Sequence, residues 1–118
     1  MLFIHYPKCS TCQKAKKWLE THHIAYTERH IVEDRPAYEE LKQWYEKSGL
    51  PLKRFFNTSG MLYRQMQLKE KLPTMNEDEQ LKLLATDGML VKRPLIIDGN
   101  RVLTGFKEAE WAELLLET

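Results

Sequence analysis

YPKCSTCQKAKKWL, residues 6–19, carries both cysteines of the 118-residue chain, Cys9 and Cys12. An apolar run, MLFIHY (1–6), leads into it and stops at Pro7. From Ser10 the pattern turns helical. Cys12, Ala15 and Leu19 share one face with Trp18 beside it, while Lys14, Lys16 and Lys17 point elsewhere. IAYTERHI (24–31) reads as a second strand. Strand, helix and strand within about thirty residues have the size of a βαβ unit. The cysteine pair therefore sits where a strand gives way to a helix.

Beyond this unit the pattern becomes helical. Asp34 is expected to cap a helix with Pro36 in its first turn; Tyr38, Leu41, Trp44 and Tyr45 recur at helical spacing until Gly49. LPLKRFF and MLYRQM give shorter helical segments on either side of the NTSG turn at 57–60. EDEQLKLLAT (77–86) predicts another helix, closed by Gly88. Strands return at Leu95–Ile97 and Arg101–Thr104 around the turn Asp98-Gly99-Asn100, and EAEWAELLL (108–116) closes the chain as an amphipathic helix. Both ends carry apolar strands that need a shared sheet. The reading is an α/β fold, βαβ … ββα, in one domain over 1–118, with its sheet-forming parts at about 1–33 and 89–118 and a helical insertion at about 34–88. Trp18, Trp44 and Trp111 are expected as core anchors.

Composition narrows the function. A chain of this length buries roughly two-thirds of its unfolded surface, enough for a core without metal or crosslinks. Eighteen Lys and Arg against 17 Asp and Glu leave a formal charge of +1, so direct nucleic-acid binding is not expected. No apolar run approaches the ~20 residues that span a bilayer, and the start has no charged region of the kind that opens a signal peptide. The expectation is a cytoplasmic monomer with no membrane association. In that compartment thiols are kept reduced, which favours a catalytic, sensing or metal-binding pair over a structural one.

Three chemistries compete for the CxxC. Zinc needs four ligands and the motif supplies two; His5, His22, His23 and His30 show no ligand spacing, so no metal is expected. A structural disulfide across so short a loop contributes only about 2 kcal/mol before strain. The redox reading has a mechanism. At a helix N-terminus the unpaired N–H groups and the dipole favour a Cys9 thiolate, with Lys8 and Lys14 as further sources of positive potential. Cys12, on the inward face, suits a resolving thiol that attacks a mixed disulfide or sulfenic acid on Cys9; alone it would read equally well as a small buried hydrophobe. No cofactor motif is present.

CxxC at a strand-to-helix turn, within βαβ followed by ββα, resembles the thioredoxin fold. Together with LKRFFNTSGMLYRQM and VKRPLIIDGNRVLTGF (91–106), it makes the whole chain resemble the arsenate reductase (ArsC)/Spx family. The resemblance implies that Pro94 is a cis proline facing the cysteine. It also implies that the nucleophile matches Cys9, with three arginine positions around an oxyanion. Here these positions hold Arg93, Asn57 and Gly105. A divalent oxyanion in a dry pocket needs charge-assisted donors, which an amide and a glycine do not supply, so efficient arsenate reduction is not expected. The spacing of Arg54, Arg64, Arg101, Lys92 and Lys107 gives no reason to count on them as replacements. Arg93 has two readings: a donor beside the Cys9 sulfur, or a structural link to the insertion. Asn57 and Pro94 are the weaker candidates for substrate contact.

The resemblance implies two outputs. One is a thiol-disulfide oxidoreductase in which Cys9 attacks, Cys12 resolves through a reversible Cys9–Cys12 disulfide, and thioredoxin or a glutathione/glutaredoxin system restores the dithiol. The other is an Spx-like redox-sensing regulator that binds the RNA polymerase α subunit, with a contact region expected near GLPL (49–52). A chain that stops at Thr118, directly after the closing helix and without the tail of Spx proteins, tilts the expectation toward the first.

Overall fold

The computed structural model describes residues 1–116. Alternation in the strands decides the layering. In β1 (Leu2–His5), Phe3 and Ile4 are both fully buried but belong to separate apolar clusters. Phe3 packs with Ala15, Trp18 and Leu19 of α1 (Ser10–Thr21) and with Trp111 of α6 (Glu108–Leu115). Ile4 packs toward α2 (Tyr38–Ser48) and the helices that follow it. The same split recurs in β3 (Leu95–Asp98), between Ile96 and Leu95, and in β4 (Arg101–Thr104), between Leu103 and Val102. A period of two thus sends successive side chains to opposite faces of one sheet, and each face is covered by helices.

The sheet order is β2-β1-β3-β4, with β2 at Thr27–His30. β1 pairs parallel with β2 through the α1 crossover, and antiparallel with β3, where Phe3 stands opposite Ile96. The β3–β4 hairpin turns at Gly99, whose φ of +61° suits a residue without a Cβ. Strands from the two ends of the sequence therefore share the sheet. All three tryptophans are buried, and the Trp111 ring meets Phe3, Trp18 and Phe106 edge-on.

Several local expectations need correction. The second strand covers only Thr27–His30 of the expected 24–31. Asp34 does not cap α2 and Pro36 is not in its first turn: the helix starts at Tyr38 with Ala37 as N-cap. The reason is Arg29, which donates to the carbonyls of Asp34 and Arg35 at 2.8 and 3.1 Å and holds that segment as a turn. The same guanidinium makes two bonds, 2.6 and 2.8 Å, to Glu40, whose carboxylate also accepts the Ala37 N–H. Gly49, at φ +68°, ends α2 as expected.

LPLKRFF forms a single 3-10 turn, Leu52–Phe55, and MLYRQM becomes α3 (Met61–Gln65). An additional short helix, α4 (Leu68–Lys71), follows Gln67 at φ +55°. α5 (Glu77–Leu84) begins with reciprocal bonds between Asn76 and Glu79. It ends before Gly88, which serves close packing instead: a Cβ there would stand 2.0 Å from the Ile31 carbonyl oxygen. Of the expected closing part, Glu117 and Thr118 lie outside the described residues. Among the described residues no helix is long and apolar enough to cross a membrane.

Candidate active site

Cys9 is the N-cap residue of α1, with extended backbone (φ −86°, ψ 123°). Its N–H donates to the Tyr6 carbonyl at 2.9 Å, its carbonyl accepts from Gln13, and the Gln13 side chain ties back to Pro7 at 2.9 Å. This fixes the tight turn between β1 and α1 and leaves the Cys9 sulfur half-buried over the first turn of the helix. Cys12, one turn on, is fully buried.

The two thiols are electrostatically unlike. Partial burial pushes the Cys9 thiol up, but the Cys12 N–H and thiol, the Arg93 guanidinium and the Thr11 N–H together hold it below the ordinary thiol value. Burial pushes Cys12 up to about 12, and the facing Cys9 sulfur adds to the rise. Donation thus runs from Cys12 to Cys9. Lys8 and Lys14 are exposed and lie off the cavity wall.

Arg93 reaches the sulfur from the other end of the chain. Its guanidinium lies 5.4 Å from the centroid of the Tyr6 ring and donates to the Met89 carbonyl at 3.3 Å, so it has both a structural bond and a thiol contact. The segment that carries it is anchored by a short antiparallel bridge. Lys92 N donates to Phe55 O and Asn57 N to Leu90 O, both at 2.8 Å, around the Phe56–Val91 pair. Asn57 is buried, and its side chain lies over Gly60, where a Cβ would come within 2.5 Å of the amide nitrogen. The Arg93–Pro94 peptide is cis, and Pro94 is buried rather than on the cavity wall.

Gly105 completes the rim. It adopts φ +76°, donates to the Pro94 carbonyl at 2.8 Å and accepts from Trp111 Nε1 at 3.2 Å. A core tryptophan on α6 thereby holds the loop after β4 against the proline loop. The result is a cavity of about 510 Å³ with Cys9, Asn57 and Arg93 in its wall.

Three cations that spacing alone had not singled out, Arg54, Lys92 and Lys107, also line the cavity, whereas Arg64 and Arg101 do not. Thr104 was missed as well; it is buried in the same wall and its hydroxyl has no hydrogen-bond partner. Only contact between distant segments unites these residues, and a threonine in a strand carries no sequence mark of such a role. Among the described residues no cluster of three His, Cys, Asp or Glu side chains suits a metal ion.

A family model described as the ArsC family matches residues 4–114. The chain belongs to the ArsC family. It is 63% identical to the Bacillus subtilis protein YusI over 96% of both chains. It superposes on the crystal structure of an ArsC family related protein from Bacteroides fragilis with a TM-score of 0.93 and 60% identity, covering 96% of this chain and 95% of the other. It is also 31% identical to the global transcriptional regulator Spx 1 of Bacillus cereus, over 95% of this chain and 84% of that protein. The fold is thioredoxin-like, as these ArsC relatives are. Its relatives thus include both an ArsC-related protein and a transcriptional regulator.

Proposed function

We propose that the chain is a cytosolic thiol redox protein in which Cys9 is the nucleophile and Cys12 the resolving thiol. The opposite acidity of the two sulfurs carries this reading: the accessible one is stabilised as a thiolate and the buried one is held as a thiol. The Cys9 thiolate attacks one sulfur of a disulfide, forms a mixed disulfide and expels the other half as a thiolate. Cys12 then gives up its proton, attacks the Cys9 sulfur and expels the second half. The substrate gains two electrons, and the protein ends as the Cys9–Cys12 disulfide. A cytosolic dithiol of the thioredoxin type, or a glutathione-linked system, returns them.

The high affinity of Cys12 for its proton does not block the second step. Part of it comes from the charge of Cys9 and from the bond Cys12 makes to that sulfur. Both are lost when Cys9 enters a mixed disulfide, while Arg93 continues to favour the Cys12 thiolate. The resolving thiol is thereby released when it is needed. Arsenate is a poor fit because two of the three expected arginine positions hold Asn57 and Gly105.

A second reading rests on the similarity to Spx 1: the same pair would act as a switch, and the output would be altered binding to the RNA polymerase α subunit. One preparation tests both. Turnover of a small disulfide with a coupled reductant, abolished by Cys9→Ser, supports the enzyme. Negligible turnover with α-subunit binding that changes on oxidation supports the regulator and overturns the first reading.

A further inference from the structure

Resting on the thiol redox reading, the geometry points to a substrate class: low-molecular-mass disulfides that carry carboxylates, read by an anion subsite beside Cys9 built from Lys92, Arg54, Lys107 and the Thr104 hydroxyl.

The first support is charge. The cavity wall holds four cations, counting Arg93, and no acidic residue, in a chain whose formal charge is only +1. Outside the cavity, three cations are paired with carboxylates: Arg29 with Glu40, Lys16 with Glu28 and Lys82 with Asp78. Among the described residues, Arg54, Lys92 and Lys107 form no ion pair. A concave site lined by one sign of charge concentrates ligands of the other.

The second support is Lys92 itself. Its side chain runs along Gly105, close enough that a Cβ there would stand 3.1 Å from Lys92 Cε and 3.9 Å from Nζ. The missing side chain at Gly105 is therefore the space in which Lys92 lies across the cavity rim.

The third support is Thr104. Its hydroxyl is buried in the cavity wall and unpartnered, an arrangement that costs free energy unless an entering group completes it. A carboxylate oxygen would accept from it. Size separates the candidates: about 510 Å³ is the scale of sites for whole small molecules, far larger than one tetrahedral oxyanion requires.

The test uses the Cys12→Ser variant, which traps the mixed disulfide on Cys9 for mass spectrometry. Three disulfides of similar length separate charge from size: dithiodipropionate (acidic), hydroxyethyl disulfide (neutral) and cystamine (basic). Each rate is divided by the rate of the same compound with dithiothreitol, which removes leaving-group differences. The acidic compound is expected to react about tenfold faster than the neutral one at low salt, with cystamine slowest. Lys92→Gln and Lys107→Gln each narrow the acidic-to-neutral ratio severalfold, and high salt narrows it too. An acidic-to-neutral ratio of one or below, or a ratio that neither variant moves, overturns the substrate class while reaction with the neutral disulfide still upholds Cys9 as nucleophile. No adduct with any of the three overturns both.

Discussion

The Cys12 thiol faces the Cys9 sulfur as a donor, and the two thiols depart from the ordinary value in opposite directions, Cys9 lowered by the donors around it and Cys12 raised by burial. Cys9, at the lip of a cavity, is held below its ordinary value; Cys12, fully buried one helical turn on, is pushed up to about 12. An acid whose folded pKa lies above its unfolded one stabilises the fold at low pH, where both states are protonated. That contribution is lost as pH rises from the ordinary 9.0 through the folded value. Reduced wild-type protein should therefore lose stability across this alkaline window, and Cys12→Ala should lose less. Urea denaturation at neutral and alkaline pH checks it; equal losses in the two proteins would count against the assignment.

Arg93 supports Cys9 with a side-chain hydrogen bond and supports the fold with a second hydrogen bond and a ring contact. Arg93→Gln should shift the pH profile of Cys9 alkylation to higher pH and reduce the rate at neutral pH. The lost bond to Met89 and stacking on Tyr6 should cost about 1 kcal/mol of stability. An unmoved alkylation profile with the stability loss intact would assign Arg93 to structure alone.

Gly88 faces backbone, not a flexible side chain: an added Cβ would meet the Ile31 carbonyl oxygen at 2.0 Å and its carbon at 2.7 Å. Gly88→Ala should destabilise by about 3 kcal/mol, the upper range for overpacking. Gly99→Ala meets nothing within 4 Å and suffers only from its positive φ, so about 1–2 kcal/mol is expected. Denaturation midpoints of the two variants give the comparison; the reverse order would refute the packing argument.

Much of this was legible in the residues. Phe3 and Ile4 announce a strand buried on both faces, and Cys12, Ala15 and Leu19 announce the helix face beneath it. Cys9, Asn57 and Arg93 were singled out, and they share one cavity. What stayed hidden depends on contacts between segments far apart in sequence. Arg29 binding to residues 34 and 35 delays α2, and no local propensity carries that information. Gly88 looked like a helix stop because a glycine beside a packed carbonyl reads the same as one at a cap. The spacing of Lys92, Arg54 and Lys107 gives no reason to count on them at the site, because the bridge between Phe56 and Val91 and the turn at Gly105 are what aim their segments at one cavity.

The most direct measurement is the pH dependence of alkylation at each cysteine of the reduced native protein, resolved by peptide mass spectrometry. The account predicts that Cys9 reacts first, with a midpoint below that of a free thiol, and that Cys12 stays unmodified through neutral pH until the protein is unfolded. A Cys9 midpoint at or above the free-thiol value, or Cys12 reacting as readily as Cys9, would contradict it.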